Sequence, residues 1–192
     1  MARPSSSRRP WWGVTLLLAA ASLAGCGTPS QSLSMGLSAA DQLQMRGWTP
    51  DFLRNAIELD KVRGGDATSA WWGSRVSGLA LEQALDDSLR GVGMLAPLGG
   101  GRYQLQVEML SLVQPIVAAD YQVTATIHYV LVDRSAANGG RVVYQRSVRT
   151  AHTADFGDSM LSQPDRARRA NEGAVRANIA TLLRDLMALP PR

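Results

Sequence analysis

The hydrophobic patterning of this chain predicts an α+β fold: a two-layer sandwich, roughly β-α-β-β-β-α, with a mainly antiparallel sheet and two long helices on one face. Three observations carry that prediction. Residues 74–92 repeat apolar side chains at helical spacing. Three successive stretches between residues 103 and 153 alternate apolar and polar with period two. Residues 165–188 return to the helical period, and an antiparallel sheet with one apolar face needs helices to cover it.

The elements follow in order. "SAADQLQMRG" reads as a short helix, with Ser38 as N-cap and Gly47 as terminator. In "NAIELDKV", Ile57, Leu59 and Lys61 alternate with Glu58 and Asp60, the pattern of a first strand. "RGGDATS" breaks the chain. In the 74–92 helix, Leu81, Ala84, Leu85, Ser88, Leu89 and Val92 share one face, and Glu82, Gln83, Asp86, Asp87 and Arg90 the other. Trp72, Val76 and Leu79 fall on the polar side of that helix, the one local inconsistency in the pattern.

"APLGGG" is a loop, and Tyr103, Leu105, Val107 and Met109 then form the apolar face of a strand that Pro115 closes. The next strand sets Tyr121, Val123, Ala125, Ile127, Tyr129 and Leu131 against Gln122, Thr124, Thr126 and His128. "ANGG" at 137–140 suits a hairpin because Asn and Gly tolerate positive φ, and Val142, Tyr144 and Val148 continue the apolar face in the last strand. In the final helix Ala167, Ala170, Ala174, Val175, Ile179, Leu182, Leu183 and Leu186 form the stripe, with Arg166, Arg169, Arg176 and Arg184 opposite. "RAN" recurs seven residues apart there, which places Asn171 and Asn178 on the apolar side.

Residues 1–25 precede this domain and have the three parts of a secretory signal: arginines at 3, 8 and 9, an apolar run from about Trp11 to Ala24, and small residues before Cys26. The run is short of the ~20 residues of a membrane span. The expected organisation is a signal segment at 1–25, a flexible tether at 26–37 of small polar residues and glycine, and one periplasmic domain at 38–192. The formal net charge of +4 resides largely in the leader, since three of the 20 basic residues and none of the 16 acidic ones precede Cys26. A phosphate-binding surface needs a dense basic stripe on the folded part, so no nucleic-acid partner is expected.

Leu23-Ala24-Gly25-Cys26 resembles the lipobox of bacterial lipoproteins. The resemblance implies cleavage between Gly25 and Cys26 and a thioether-linked diacylglycerol on Cys26, which is the only cysteine of the chain. Two or more acyl chains anchor a protein stably without spanning the bilayer. Gly27 stands where lipoproteins retained at the inner membrane often carry aspartate, so the same resemblance implies the periplasmic face of the outer membrane.

The search for chemistry yields no constellation that argues for an enzyme, and neither a cofactor nor a metal is expected. His128 reads as a solvated strand residue, and His152 with Asp155 and Asp158 falls short of a ligand set. Asp86 and Asp87 are adjacent on an exposed helix face, where nothing splits their pKa values for acid–base work. The single lysine, Lys61, lies outside any phosphate-cradling loop. "SAWWGSRV" stands apart, because neighbouring tryptophans on a helix point 100° from each other and cannot enter one core. Trp71, Trp72, Val76 and Leu79 are therefore the candidate partner-binding patch, unless the segment around residues 37–48 folds back over it.

The lipobox, the element order, "ALDDSLRGVGML" and "RRANEGAVRANIATLL" together resemble a group of bacterial envelope lipoproteins over roughly residues 55–188. The group includes the auxiliary lipoproteins of ABC-type envelope lipid transporters and the lipopolysaccharide-assembly lipoprotein. The latter typically carries a "GF-x-LR"-like stretch after its cysteine, where this chain reads "CGTPSQS". The resemblance implies a non-catalytic, lipid-anchored module that docks on an envelope protein partner within a transport or assembly machine. The alternative is a carrier of lipid or another small molecule, which requires an apolar cavity of ~300 Å3 or more.

Overall fold

The computed structural model describes residues 29–65, 76–114, 121–135, 140–154 and 162–190. Its core is a mostly antiparallel sheet of five strands: β1 (Ile57–Leu59), β2 (Arg63–Gly64), β3 (Tyr103–Val113), β4 (Tyr121–Asp133) and β5 (Arg141–Ala154). Among the described residues four α-helices accompany it: α1 (Ser32–Met35), α2 (Ala39–Arg46), α3 (Gly78–Gly91) and α4 (Gln163–Met187). The helices lie on one side, so the predicted α+β two-layer sandwich is the architecture observed.

Strands β3, β4 and β5 form an antiparallel meander in which Met109, Ile127 and Val148 stand in one cross-strand row. The inward row of β4 is buried along its whole length, as its strict alternation requires. Strands β1 and β2 both run parallel to β3, with Ile57 opposite Tyr103 and Gly64 opposite Met109. That pairing requires a crossover, which includes α3.

Two bulges break the meander. One residue, Leu110, is inserted in β3 between Met109 and Ser111, and it points to solvent. The other lies in β5, where Leu131 pairs with Tyr144 and Val132 with Val142. The extra residue, Val143, takes the place on the core that simple alternation assigns to Val142, which is half exposed.

Helix α4 buries all eight residues of its predicted stripe. Asn178, buried among them, ties helix to sheet. Its Oδ1 accepts from the Tyr129 hydroxyl at 2.9 Å, and its Nδ2 donates to the Val148 carbonyl at 2.9 Å and to Thr150 Oγ1 at 3.0 Å. Thr150 Oγ1 in turn donates to the Ala174 carbonyl at 2.8 Å. At the far end of the helix Asp185 accepts from Tyr144 and from Arg146, each at 2.7 Å. Burial pushes the Tyr129 and Tyr144 hydroxyls up from their ordinary pKa, and the Asp185 carboxylate adds to the shift at Tyr144.

Helix α3 starts later than its apolar period suggests. Ser77 caps it in an extended conformation, accepting from the Ala80 amide at 3.1 Å, and Val76 precedes the cap. The six residues predicted to face inward, Leu81 to Val92, are all buried.

The expected flexible tether is corrected over most of its length. Met35 is fully buried, and Ser30 and Leu37 are buried too. The Gln31 amide donates to Glu172 Oε1 at 2.8 Å, the Leu37 amide to Ser88 Oγ at 3.1 Å, and the Arg176 guanidinium to the Ser34 carbonyl. Residues 30–37 therefore belong to the folded domain.

Candidate functional site

Residues 29–49 form a thin layer over α3 and α4. Ser38 caps α2, accepting from the Asp41 amide at 3.2 Å. The buried side of the layer is narrow, with Met35 and Met45 alone buried in its two helices. Directional bonds supply the rest. Gln42 donates to the Leu37 carbonyl at 3.0 Å, and Thr49 Oγ1 to the Val92 carbonyl at 2.7 Å. Gln42 also lies close over Gly91, where a Cβ would force its side chain to shift.

The outer side of the layer is unusually apolar. Leu33 is 83% exposed, Leu43 72% and Trp48 64%, three of the eight large hydrophobic residues exposed among the described ones. Ala39 and Ala40 share the outward face of α2 with Leu43. Asp41 and Arg46 are the sole charges between residues 29 and 49.

Between α2 and α4 runs an open groove of about 460 Å3, floored by Leu37, Met45 and Ala177 and edged by Trp48, Arg176 and Arg184. His152 enters it from β5, its ring packed over Gly173, where a Cβ would collide with it. The interior between sheet and helices is filled by side chains such as Ile127, Leu131, Leu182 and Leu186, and the apolar cleft between Phe52, Tyr103 and Leu189 holds about 10 Å3.

The sequence-derived candidates are only partly brought together. Gly25, Cys26, Trp71 and Trp72 lie outside the described residues, as do Asp155 and Asp158. Val76 is fully buried, whereas Leu79 is exposed on α3, so Val76 is withdrawn from the candidate patch. The reason is geometric: Val76 precedes the helix, and the helical wheel does not govern its direction. Leu79 borders an open, charge-mixed groove of about 810 Å3 with Asp60, Lys61, Arg63 and Glu82.

On the uncovered face of the sheet, Glu108, His128 and Ser147 stand side by side across three strands, with His128 Nδ1 at 2.9 Å from Ser147 Oγ. Sequence reading missed this row because its members are 19 and 20 residues apart and meet only through strand register. The Ser147 hydroxyl sits on an exposed strand surface. Asp86 binds Arg90 at 2.7 Å across a helix turn, an ordinary surface pair. Among the described residues no group of three or more His, Cys, Asp or Glu is placed to hold a metal ion, and no helix is long and apolar enough to cross a membrane.

No protein-family model matches the chain, and no curated protein matches it. Solved structures do. A protein of the family-model DUF330 from Xanthomonas campestris superposes with a TM-score of 0.53 at 12% identity, covering 83% of this chain and 91% of that one. The protein CT253 from Chlamydia trachomatis gives a TM-score of 0.50 at 11% identity, over 70% of this chain and 94% of that one. A protein from Caulobacter crescentus CB15, described as a lipoprotein, reaches 0.48 at 19% identity, over 75% and 93% of the two chains. At such identities the likeness is one of fold. This chain shares its α+β architecture with the Xanthomonas DUF330 protein.

Proposed function

We propose that this chain is a non-catalytic bacterial envelope lipoprotein, anchored through a lipid on Cys26 at the periplasmic face of the outer membrane. In this reading it serves as an auxiliary or assembly component of an envelope transport machine. The leader ending in Leu-Ala-Gly-Cys carries the reading, because it puts the only cysteine where processing would make it the new N-terminus. A second feature supports it: the chain is already packed into the domain at Ser30, a few residues after Cys26, as befits a module held close to its membrane. Trp71, Trp72 and Leu79 are the proposed docking residues for the partner.

Metabolic labelling with palmitate tests the anchor: incorporation should vanish in Cys26→Ser, and its survival overturns the reading. In-cell photo-crosslinking from position 72 tests the machine. A discrete envelope-protein adduct supports docking, and a lipid adduct without protein favours the carrier instead.

A further inference from the structure

We propose that the outer side of the α1–α2 layer is the face by which the domain rests on the membrane holding its anchor, with Leu33, Leu43 and Trp48 set among the lipid headgroups. The inference rests on lipidation of Cys26 and adds an orientation to it.

Chain length comes first. Ser30 is buried in the domain, and four residue steps separate it from Cys26. A fully extended chain advances at most ~3.3–3.6 Å per residue, so the acylated end lies within ~14 Å of Ser30. The headgroup zone itself adds several ångströms on each side of the hydrocarbon, ~40–45 Å in all against ~30 Å. A domain held this closely cannot stand away from the bilayer; some part of the surface near Ser30 must touch it.

The surface that follows directly from that attachment point is the α1–α2 layer, and its chemistry fits an interface. Leu33 lies three residues beyond Ser30 and is almost wholly exposed. Leu43, with Ala39 and Ala40, continues the apolar surface on α2, and Trp48 follows the helix. Tryptophan concentrates at membrane–water boundaries because its ring is apolar and its indole N–H is polar. The charged groups lining the grooves beside this layer are Asp41 from α2 and Arg169, Glu172, Arg176 and Arg184 from α4, a small cationic excess that suits phosphate headgroups.

The test uses the full-length protein, processed and purified from bacterial membranes, in a Trp71→Phe/Trp72→Phe background. Trp48 is then the single tryptophan after Cys26. The protein is reconstituted in phosphatidylcholine vesicles with and without lipid brominated near the headgroup. Mass spectrometry of the same sample reports the lipid on Cys26. The expected result is loss of about half the Trp48 emission to bromine, with Leu33→Glu and Leu43→Glu each restoring most of it. If the double Phe variant misfolds by circular dichroism, the difference in quenching between wild type and Trp48→Phe gives the same readout. A lipidated protein whose Trp48 is not quenched overturns the orientation and leaves the anchor intact. A blue shift that tracks protein concentration in detergent, without bromine quenching, assigns this face to a second copy and also overturns it. An unlipidated Cys26 removes the anchor reading and the orientation together.

Discussion

The α1–α2 layer and α4 lie on the same face of one sheet and are held by different forces. Helix α4 buries twelve of its 25 residues and pins its centre to β4 and β5 through Asn178. The layer buries Met35 and Met45 in its helices and relies on single hydrogen bonds to Ser88, Glu172, Arg176 and Val92. Burial is cooperative and non-directional, whereas a few bonds fix a position without much margin. The layer is thus precisely placed yet weakly attached, and α4 is its foundation.

The largest blow to that contrast is Asn178→Leu. It leaves the buried Tyr129 hydroxyl without its acceptor and the Val148 carbonyl without a side-chain donor, at about 1–3 kcal/mol per orphaned group. A loss of about 3 kcal/mol in urea denaturation is expected, of which Tyr129→Phe in the double variant should recover about 1 kcal/mol. Met35→Ala should cost about 2 kcal/mol, the low end for a buried methionine, because the thin layer can settle into the space. Ser88→Ala should cost about 1 kcal/mol by freeing the Leu37 amide. Hydrogen exchange at residues 30–37 should then quicken about fivefold while α4 is unchanged; equal acceleration in both would show that layer and helix open as one.

Acid offers a fourth check at a distance from both regions. Arg102 and Ser135 hydrogen-bond the Asp133 carboxylate and hold it well below the usual carboxylate range. A lowered folded-state pKa adds stability that is fully present above the ordinary Asp value of about 3.9 and is lost as pH falls below it. Asp133→Asn should remove that arm of the acid-unfolding profile and leave the slope near neutrality unaltered. Smallest of all, Leu43→Ser in the unlipidated soluble domain should change stability by less than about 0.5 kcal/mol, because its side chain is exposed. A larger change would mean that Leu43 packs in solution.

The same contrast sorts what was legible in the sequence. Local periodicity suffices where burial is regular, so the α4 stripe, the inward face of α3 and the alternation of β4 read directly. Val142 was misassigned because a bulge shifts the pattern by one residue without changing composition. Residues 30–37 read as linker because their small, polar composition has no period, and what orders them are partners far along the chain. For the candidate site, Leu79 was readable as an outward residue, while Val76 was not readable as buried, since its direction depends on where α3 begins. Leu43 and Trp48 carried no motif, and an exposed leucine is recognisable only once its neighbours are known.

The bond between the Gln31 amide and Glu172 joins residues 141 positions apart, so the beginning of the domain closes onto its end. Synthesis runs from N- to C-terminus, and α1 can settle on α3 early but gains its second support, Glu172 and Arg176, only when α4 has been made. The meander of β3, β4 and β5 can pair as it emerges, with short loops between neighbours, whereas the parallel partners β1 and β2 must wait for β3. Completion is thus deferred to the last helix, and truncating α4 should loosen α1, which would keep only its contacts with α3.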